Sequence, residues 1–212
     1  MNEDIHRSRL GIFGGSFDPP HDAHLAIARA AQDRHRLNPI IFVPNRIPPH
    51  KGAHASPEDR YTMVLLAIEG ASGFEATDRE VRRRGKSYTL DTLREFRSEG
   101  GESTDLFFIV GADTLPELPT WRGFRDIASL ARIVVVGRAR RPIDVAVSLT
   151  GTVPDSVVRQ IESDVIPGES SEISSSGIRK RVRDGRSLDG WTPAAVARYI
   201  EEKNLYREGE DH

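Results

Sequence analysis

Two histidines stand three residues apart, just after a glycine pair, in the string Gly14-Gly15-Ser16-Phe17-Asp18-Pro19-Pro20-His21-Asp22-Ala23-His24. The apolar run Leu10–Phe13 precedes it and a helical pattern follows. A strand that feeds a Gly-Gly turn and then a helix lets backbone N–H groups approach an anion, and the helix start adds partial positive charge. His21 and His24 share one face of that first turn. Gly14, Gly15, Ser16, Phe17 and the two imidazoles therefore form a candidate phosphate cradle. The imidazoles would donate when neutral, and more strongly if the phosphate favours their cationic form. Two other readings use the same residues. One is a tight turn with two capping or solvent-facing histidines. The other is a metal site, for which no third ligand is evident and no cysteine exists. A dinucleotide fingerprint fits poorly: Gly11-x-x-Gly14-Gly15 has the wrong spacing, and Phe42-Val43-Pro44 lacks the acid that would bind a ribose.

A second anion-binding pattern lies near the C-terminus. Ile173-Ser174-Ser175-Ser176-Gly177-Ile178-Arg179 reads as a helix opening, with a Ser to cap it and Ile178 and Val182 four apart on one face. Hydroxyls, first-turn N–H groups and the fixed donor fork of Arg179 suit a polyphosphate. A capped amphipathic helix with solvated basic residues accounts for the string equally simply. Between the two motifs, Ser87-Tyr88-Thr89 precedes a helical run, so its amides are candidates for a carboxylate. Trp121 follows a Pro-interrupted stretch, Leu115–Pro119, read as a loop; there it either stacks on a flat heteroaromatic ring or covers a core edge. Asp113 sits at a strand's C-terminal end, where open α/β sheets bind ligands. Lys51 is placed to reach a phosphate or simply to be solvated, and Arg82-Arg83-Arg84 reads mainly as surface charge.

The elements that must position these residues alternate between short apolar runs and longer amphipathic ones. Strands are expected at Leu10–Phe13, Ile40–Val43, Leu106–Val110 and Ile133–Val136, with weaker runs at Phe74–Thr77 and Val165–Ile166. Nearly all-apolar strands belong to a sheet covered on both faces. Helices are expected over Asp22–Arg34, from Ser56-Pro57-Glu58-Asp59 onward, near Leu90–Ser98 and Gly123–Leu130, and from Thr192-Pro193 to about Lys203. The stretch Ala139–Asp164 is Pro-interrupted and weakly periodic, and reads as a surface excursion. The pattern predicts an α/β fold: a Rossmann-like, doubly wound, mostly parallel sheet with helices on both faces.

Composition narrows the chemistry. The 212 residues carry 30 Lys and Arg against 32 Asp and Glu, a net charge of −2, which argues against broad docking onto nucleic acid or an anionic membrane. With no Cys, disulfides, thiolate nucleophiles and Cys-ligated zinc are excluded. The polar start lacks a signal-peptide apolar stretch, and no apolar run approaches the roughly 18 residues of a membrane span. A soluble, cytoplasmic protein is expected.

The string GGSFDPPHDAH resembles the GG[ST]FDPxHxGH signature of the HxGH nucleotidyltransferase superfamily. Further strings resemble the nicotinate mononucleotide adenylyltransferases of bacterial NAD synthesis: Pro44…Pro48-Pro49-His50-Lys51, Ser87-Tyr88-Thr89, Gly111-Ala112-Asp113, Trp121, Val136-Gly137-Arg138 and Ile173–Arg179. They occur in family order, so the resemblance spans Leu10 to Tyr206. It implies a single nucleotidyltransferase domain over residues 1–206, with 207–212 a frayed tail. It implies adenylyl transfer from ATP to nicotinate mononucleotide, with Mg²⁺ carried on the ATP and no metal ligands from the protein. His21, His24 and Arg179 would then be catalytic. Gly14, Gly15, Ser16, Phe17, Ile173, Ser175, Ser176, Asp113 and Arg138 would bind ATP, Asp113 at a ribose, with Ser174 a weaker candidate. Tyr88 and Thr89 would hold the nicotinate carboxylate, Trp121 would stack on the pyridine, and Lys51 would bind substrate. Two positions depart from the family pattern. Ala23 replaces its Gly, adding a methyl where backbone would lie against the nucleotide, and Ser176 stands where Thr is common. Other phosphorylated acceptors (nicotinamide mononucleotide, phosphopantetheine) and a catalytically silent nucleotide sensor are the competing readings, and self-association stays open. A class I aminoacyl-tRNA synthetase shares the histidine turn, but this chain lacks a KMSKS string and room for a tRNA-binding domain.

Overall fold

The computed structural model describes residues 8–47, 53–137, 143–168 and 172–207. In chain order the elements are β1 (Ser8–Gly15), α1 (Asp22–His35), β2 (Ile40–Pro44), α2 (Pro57–Ile68), β3 (Phe74–Ala76), α3 (Arg79–Arg82), α4 (Thr89–Gly100) and β4 (Thr104–Gly111). A 3₁₀ turn over Leu115–Thr120 follows, then α5 (Phe124–Leu130), β5 (Arg132–Val136), α6 (Val145–Leu149), α7 (Asp155–Ser163), α8 (Ser175–Arg183) and α9 (Ala194–Glu202). The five strands form one parallel sheet in the order β3-β2-β1-β4-β5, so the winding reverses after β1. β1 runs beside β4 from Ser8↔Thr104 to Phe13↔Ile109, and β4 beside β5 from Phe107↔Arg132 to Gly111↔Val136. The expected α/β architecture is present, with helices around the sheet. The Val165–Ile166 run yields only an isolated bridge, Ile166 to Val136.

By compactness the chain divides into two units. The first comprises Met1–Phe13, Ile27–Ile41 and Tyr88–Ser170. Its core is the doubly covered strand pair β4 and β5, where Leu106–Val110 and Ile133–Val136 are all buried, joined by Leu93 and Phe96 of α4. Arg97 ties that helix down: its guanidinium donates to the carbonyls of Thr104 (2.5 Å) and Leu130 (2.9 Å). Of the surface excursion expected over 139–164, residues 139–142 lie outside the described residues, and 143–164 are largely helical. Two short amphipathic helices there bury Val145, Leu149, Val158 and Ile161. α6 is too short to show a helical period in sequence, α7 sets Val158 and Ile161 three apart on one face, and for helices this short burial against the rest of the unit supplies the stability. The Arg132 guanidinium pairs with Asp164, which closes the segment.

The second unit comprises Gly14–Ala26, Phe42–Ser87 and Ser171–His212. Its core gathers Met63 and Ala67 of α2, Ile178 of α8, Val196 and Ile200 of α9, and Tyr206. The α2 opening is as expected: Ser56 caps by accepting from the Asp59 N–H (3.0 Å), with Pro57 at the first position. Thr192-Pro193 departs from it. Pro193 is the cap residue of α9, and the Thr192 hydroxyl donates to the Pro20 carbonyl (2.8 Å) instead, 172 residues away in the chain.

Candidate active site

At the end of β1 the backbone turns inward. Gly14 is exposed, whereas Phe17 through His21 are buried. Phe17 takes a left-handed backbone (φ 49°), and its ring lies edge-on to His24 (5.0 Å between centroids) and against Phe42 (5.7 Å). Asp18, only 4% exposed, anchors the turn. Its Oδ2 accepts from the His54 N–H (2.7 Å), and its Oδ1 from the Ala55 N–H (3.0 Å) and the Tyr206 hydroxyl (2.8 Å). Burial, then the adjacent carboxylate, push the Tyr206 phenol well above its ordinary range, so it stays a donor.

Beneath the same loop lies Arg60, wholly buried on α2. It donates to the carbonyls of Ser16 (2.6 Å), Asn45 (2.7 Å), Arg46 (2.9 Å) and Ala55 (3.3 Å), and to Asn45 Oδ1 (3.2 Å). Burial lowers its pKa and the Asp18 carboxylate opposes that. A guanidinium remains charged under such shifts. A fixed positive charge thus lies behind Ser16.

The two histidines form one unit at the start of α1. Their rings stack at 3.6 Å between centroids with 19° between planes. The His21 backbone N–H donates to His24 Nδ1 (3.2 Å), an imidazole version of the capping box, in which the third helical residue reaches back to the cap amide. Because Nδ1 accepts, the neutral His24 ring carries its proton on Nε2. His24 is half-buried and His21 is buried. The Ala23 methyl, 6% exposed, is covered by protein. Burial raises the Asp22 carboxyl at the first helical position.

The C-terminal motif joins this loop directly. Ser174 caps α8 by accepting from the Gly177 N–H (3.1 Å). The Ser175 hydroxyl donates to the Pro19 carbonyl (2.9 Å), and Arg179 Nη1 donates to the Asp18 carbonyl (2.7 Å) and lies 3.9 Å from its carboxylate. Residues 156 and 161 apart in sequence are bonded here. With the Ser175 proton used on Pro19 and the Gly177 N–H on Ser174, what remains at this helix end are the N–H groups of Ser175 and Ser176, the exposed Ser176 hydroxyl beside Ser174 Oγ (3.2 Å) and the rest of the Arg179 fork. Gly177 is required by close approach: a Cβ there would sit 2.8 Å from the Trp191 ring. Trp191 in turn accepts the Asp22 N–H on its carbonyl (3.2 Å). Ile173, half-buried, packs on the core beside α8.

Of the predicted acceptor residues, Tyr88, Thr89 and Trp121 belong to the first unit. Tyr88 precedes α4 and Thr89 begins it. Trp121 follows the 3₁₀ turn, which replaces the expected loop, and its ring meets Phe108 of β4 edge-on (5.9 Å). The Arg122 guanidinium lies over the Tyr88 ring (4.7 Å to its centroid). Asp113 is exposed beyond the end of β4. Arg82 pairs with Asp78, in keeping with a surface charge. Lys51 and Arg138 lie outside the described residues.

Sequence reasoning passed over the supports: Asp18, Arg60, Trp191, Thr192 and Tyr206. Arg60 did leave a signal, since it occupies the apolar stripe Arg60-Met63-Val64-Ala67 of α2, all buried. Tyr206 and Thr192 left none, because their partners are set by the tertiary fold.

Residues 12–181 match the model of the cytidylyltransferase-like family. The chain is 39% identical over 201 residues to a probable nicotinate-nucleotide adenylyltransferase of Gemmatimonas aurantiaca, covering 94% of this chain and 93% of that protein. It is 41% identical over 199 residues to one of Thermus thermophilus, covering 94% of this chain and all of the relative. Among solved structures, the Plasmodium falciparum nicotinic acid mononucleotide adenylyltransferase complexed with NaAD superposes with a TM-score of 0.74 at 19% identity, covering 94% of this chain and 97% of the other, which bears on the fold. A histidine-bearing turn clasped by a distant helix start, on a sheet of this order and at this likeness to its relatives, makes the chain a member of the cytidylyltransferase-like family, among the nicotinate-nucleotide adenylyltransferases.

Proposed function

We propose that the chain transfers the adenylyl group of ATP to nicotinate mononucleotide, giving nicotinate adenine dinucleotide and pyrophosphate, as a cytoplasmic enzyme of NAD biosynthesis. One observation carries the reading: the Gly14–His24 turn and the α8 N-terminus are bonded to each other through Pro19 and Asp18, in a member of this family. Two helix starts, two imidazoles and a guanidinium then serve a single polyphosphate.

In the reaction an oxygen of the acceptor's 5′-phosphate attacks the α-phosphorus of ATP. The new P–O bond forms as the bond to the bridging oxygen breaks, and the electron pair leaves with pyrophosphate. The attacking oxygen is already anionic at neutral pH, so neither a general base nor a covalent enzyme intermediate is required. The protein must supply alignment and donors for the charge that moves onto the leaving oxygen. His24 offers an Nε2–H whose orientation the His21 amide fixes, and Arg179 offers the free part of a fork anchored on Asp18. His21, stacked on His24, completes the donor pair. Gly14, Gly15, Ser16 and Phe17 bring backbone to the nucleotide, and Ile173, Ser175 and Ser176 line the helix start.

The proposal gives Asp113 the ribose, Arg138 the nucleotide, Tyr88 and Thr89 the acceptor's carboxylate, Trp121 its ring, and Lys51 a substrate phosphate. ATP enters as its Mg²⁺ complex, the cation held by phosphate oxygens and water; among the described residues no group of three or more His, Asp or Glu is placed to hold a metal. No described helix is long and apolar enough to cross a membrane. The test is pyrophosphate release from ATP with nicotinate mononucleotide, with the amide run alongside. Release with the acid, and less with the amide, is expected. ATP binding without release would favour a nucleotide sensor, and release only with another phosphorylated acceptor would reassign the substrate.

A further inference from the structure

Arg122 is an exposed cation whose placement the proposed reaction has not yet used. It follows Trp121 directly, and its guanidinium lies 4.7 Å from the centroid of the Tyr88 ring. Among the described residues no carboxylate pairs with it; the nearby Asp126 is engaged by Arg94 (3.1 Å). The segment carrying it is pinned to α4 at the next residue. Gly123 takes a left-handed backbone (φ 68°), and a Cβ there would come within 2.5 Å of Leu90 Cδ2. Tyr88 in turn immediately precedes α4 and its carbonyl accepts the Asp91 N–H (3.0 Å), which leaves the N–H groups of Thr89 and Leu90 with no carbonyl of the helix. The Trp121 indole, meanwhile, is fixed edge-on against Phe108. A planar ring, a helix start and a guanidinium held on an aromatic face, with no carboxylate partner among the described residues, therefore share one small region of the first unit. Arg on an aromatic ring keeps its planar fork oriented, so it meets a carboxylate at a smaller entropic cost than a free surface Arg.

We propose that Arg122 is a specificity-determining residue of this chain, supplying the positive charge that favours a pyridine acceptor bearing a carboxylate over the same acceptor bearing a carboxamide. The inference rests on the acceptor reading given above. A carboxylate gains a charge-assisted hydrogen bond from the guanidinium; a carboxamide, being neutral, gains only an ordinary one.

The experiment compares the wild-type chain with Arg122→Gln and Arg122→Lys, measuring kcat/KM for nicotinate and for nicotinamide mononucleotide at two ionic strengths. Arg122→Gln should lower the acid-to-amide ratio about tenfold, mainly through KM for the acid, and should flatten its dependence on salt. Arg122→Lys should recover part of the ratio, since it keeps the charge and loses the fork. Circular dichroism checks that each variant folds. An unchanged ratio would overturn the inference, whether both substrates slow together or neither does. A wild-type chain that adenylates neither acceptor would instead overturn the acceptor reading, and this inference with it.

Discussion

Replacing Tyr206 by Phe removes a single hydroxyl, the one that donates to Asp18 Oδ1 at 2.8 Å. The ring, 9% exposed and part of the second unit's core, remains. The loss is thus confined to one hydrogen bond to a buried charge, worth about 2 kcal/mol, and Asp18 keeps the amides of His54 and Ala55. For a chain of this length that is a fall in Tm of about 4–8 °C near neutral pH, read by far-UV circular dichroism. The same substitution has a signature in alkali. The folded chain holds the Tyr206 proton above the ordinary pKa of 10.0, through burial first and the Asp18 charge second. Below about pH 10 both states are protonated and the contribution is complete. Above it the unfolded chain releases a proton the folded chain retains, and stability falls by about 1.4 kcal/mol per pH unit. The gap between wild type and Tyr206→Phe should therefore shrink by about 1 kcal/mol between pH 10 and pH 11, where the unfolded tyrosine is only part-way through its ionisation. Equal Tm values near neutral pH, or a gap that stays constant into alkali, would refute the placement of this bond at the base of the phosphate turn.

Turnover should fall by roughly 10²–10³ in His24→Ala with the fold intact, the size of losing one preorganised donor; near-normal pyrophosphate release would remove His24 from the mechanism. Arg60→Met leaves the carbonyls of Ser16, Asn45, Arg46 and Ala55 without their donor, and should cost at least about 3 kcal/mol by urea unfolding. A cost under about 1 kcal/mol would contradict that count. Burial holds the His35 imidazole below its ordinary pKa of 6.5. Its stabilising contribution is complete above about pH 6.5 and is lost as pH falls from there toward the folded pKa, because the unfolded chain takes up the proton first. His35→Leu should therefore flatten the acid slope of the unfolding free energy, and an identical slope would exclude His35 as its source.

Much of this molecule was legible in the residues. The doubly buried strands declared themselves as apolar runs, and β4 and β5 lie where Leu106–Val110 and Ile133–Val136 placed them. The α2 opening was readable because Ser56, Pro57 and Asp59 act locally. Thr192-Pro193 looked alike and behaved otherwise, since the Thr192 hydroxyl found Pro20, a partner no local rule supplies. α6 was missed because its five residues are too few to carry a period, whereas α7 does set Val158 and Ile161 three apart on one face and that signal was passed over. At the site, the histidines and the serine-rich helix start were visible as types in a spacing. That both bind one nucleotide was implied only by the family resemblance, and the bonds that join them, Ser175 to Pro19 and Arg179 to Asp18, could not be read from local sequence. The buried supports were hidden for a physical reason: Asp18 and Tyr206 matter through each other, and 188 residues separate them.

A crystal structure of the chain with a non-hydrolysable ATP analogue addresses the central claim most directly. The account predicts phosphate oxygens within about 2.7–3.2 Å of both His24 Nε2 and the Arg179 guanidinium, on the same polyphosphate. An analogue whose phosphates touched only one of these segments would contradict it.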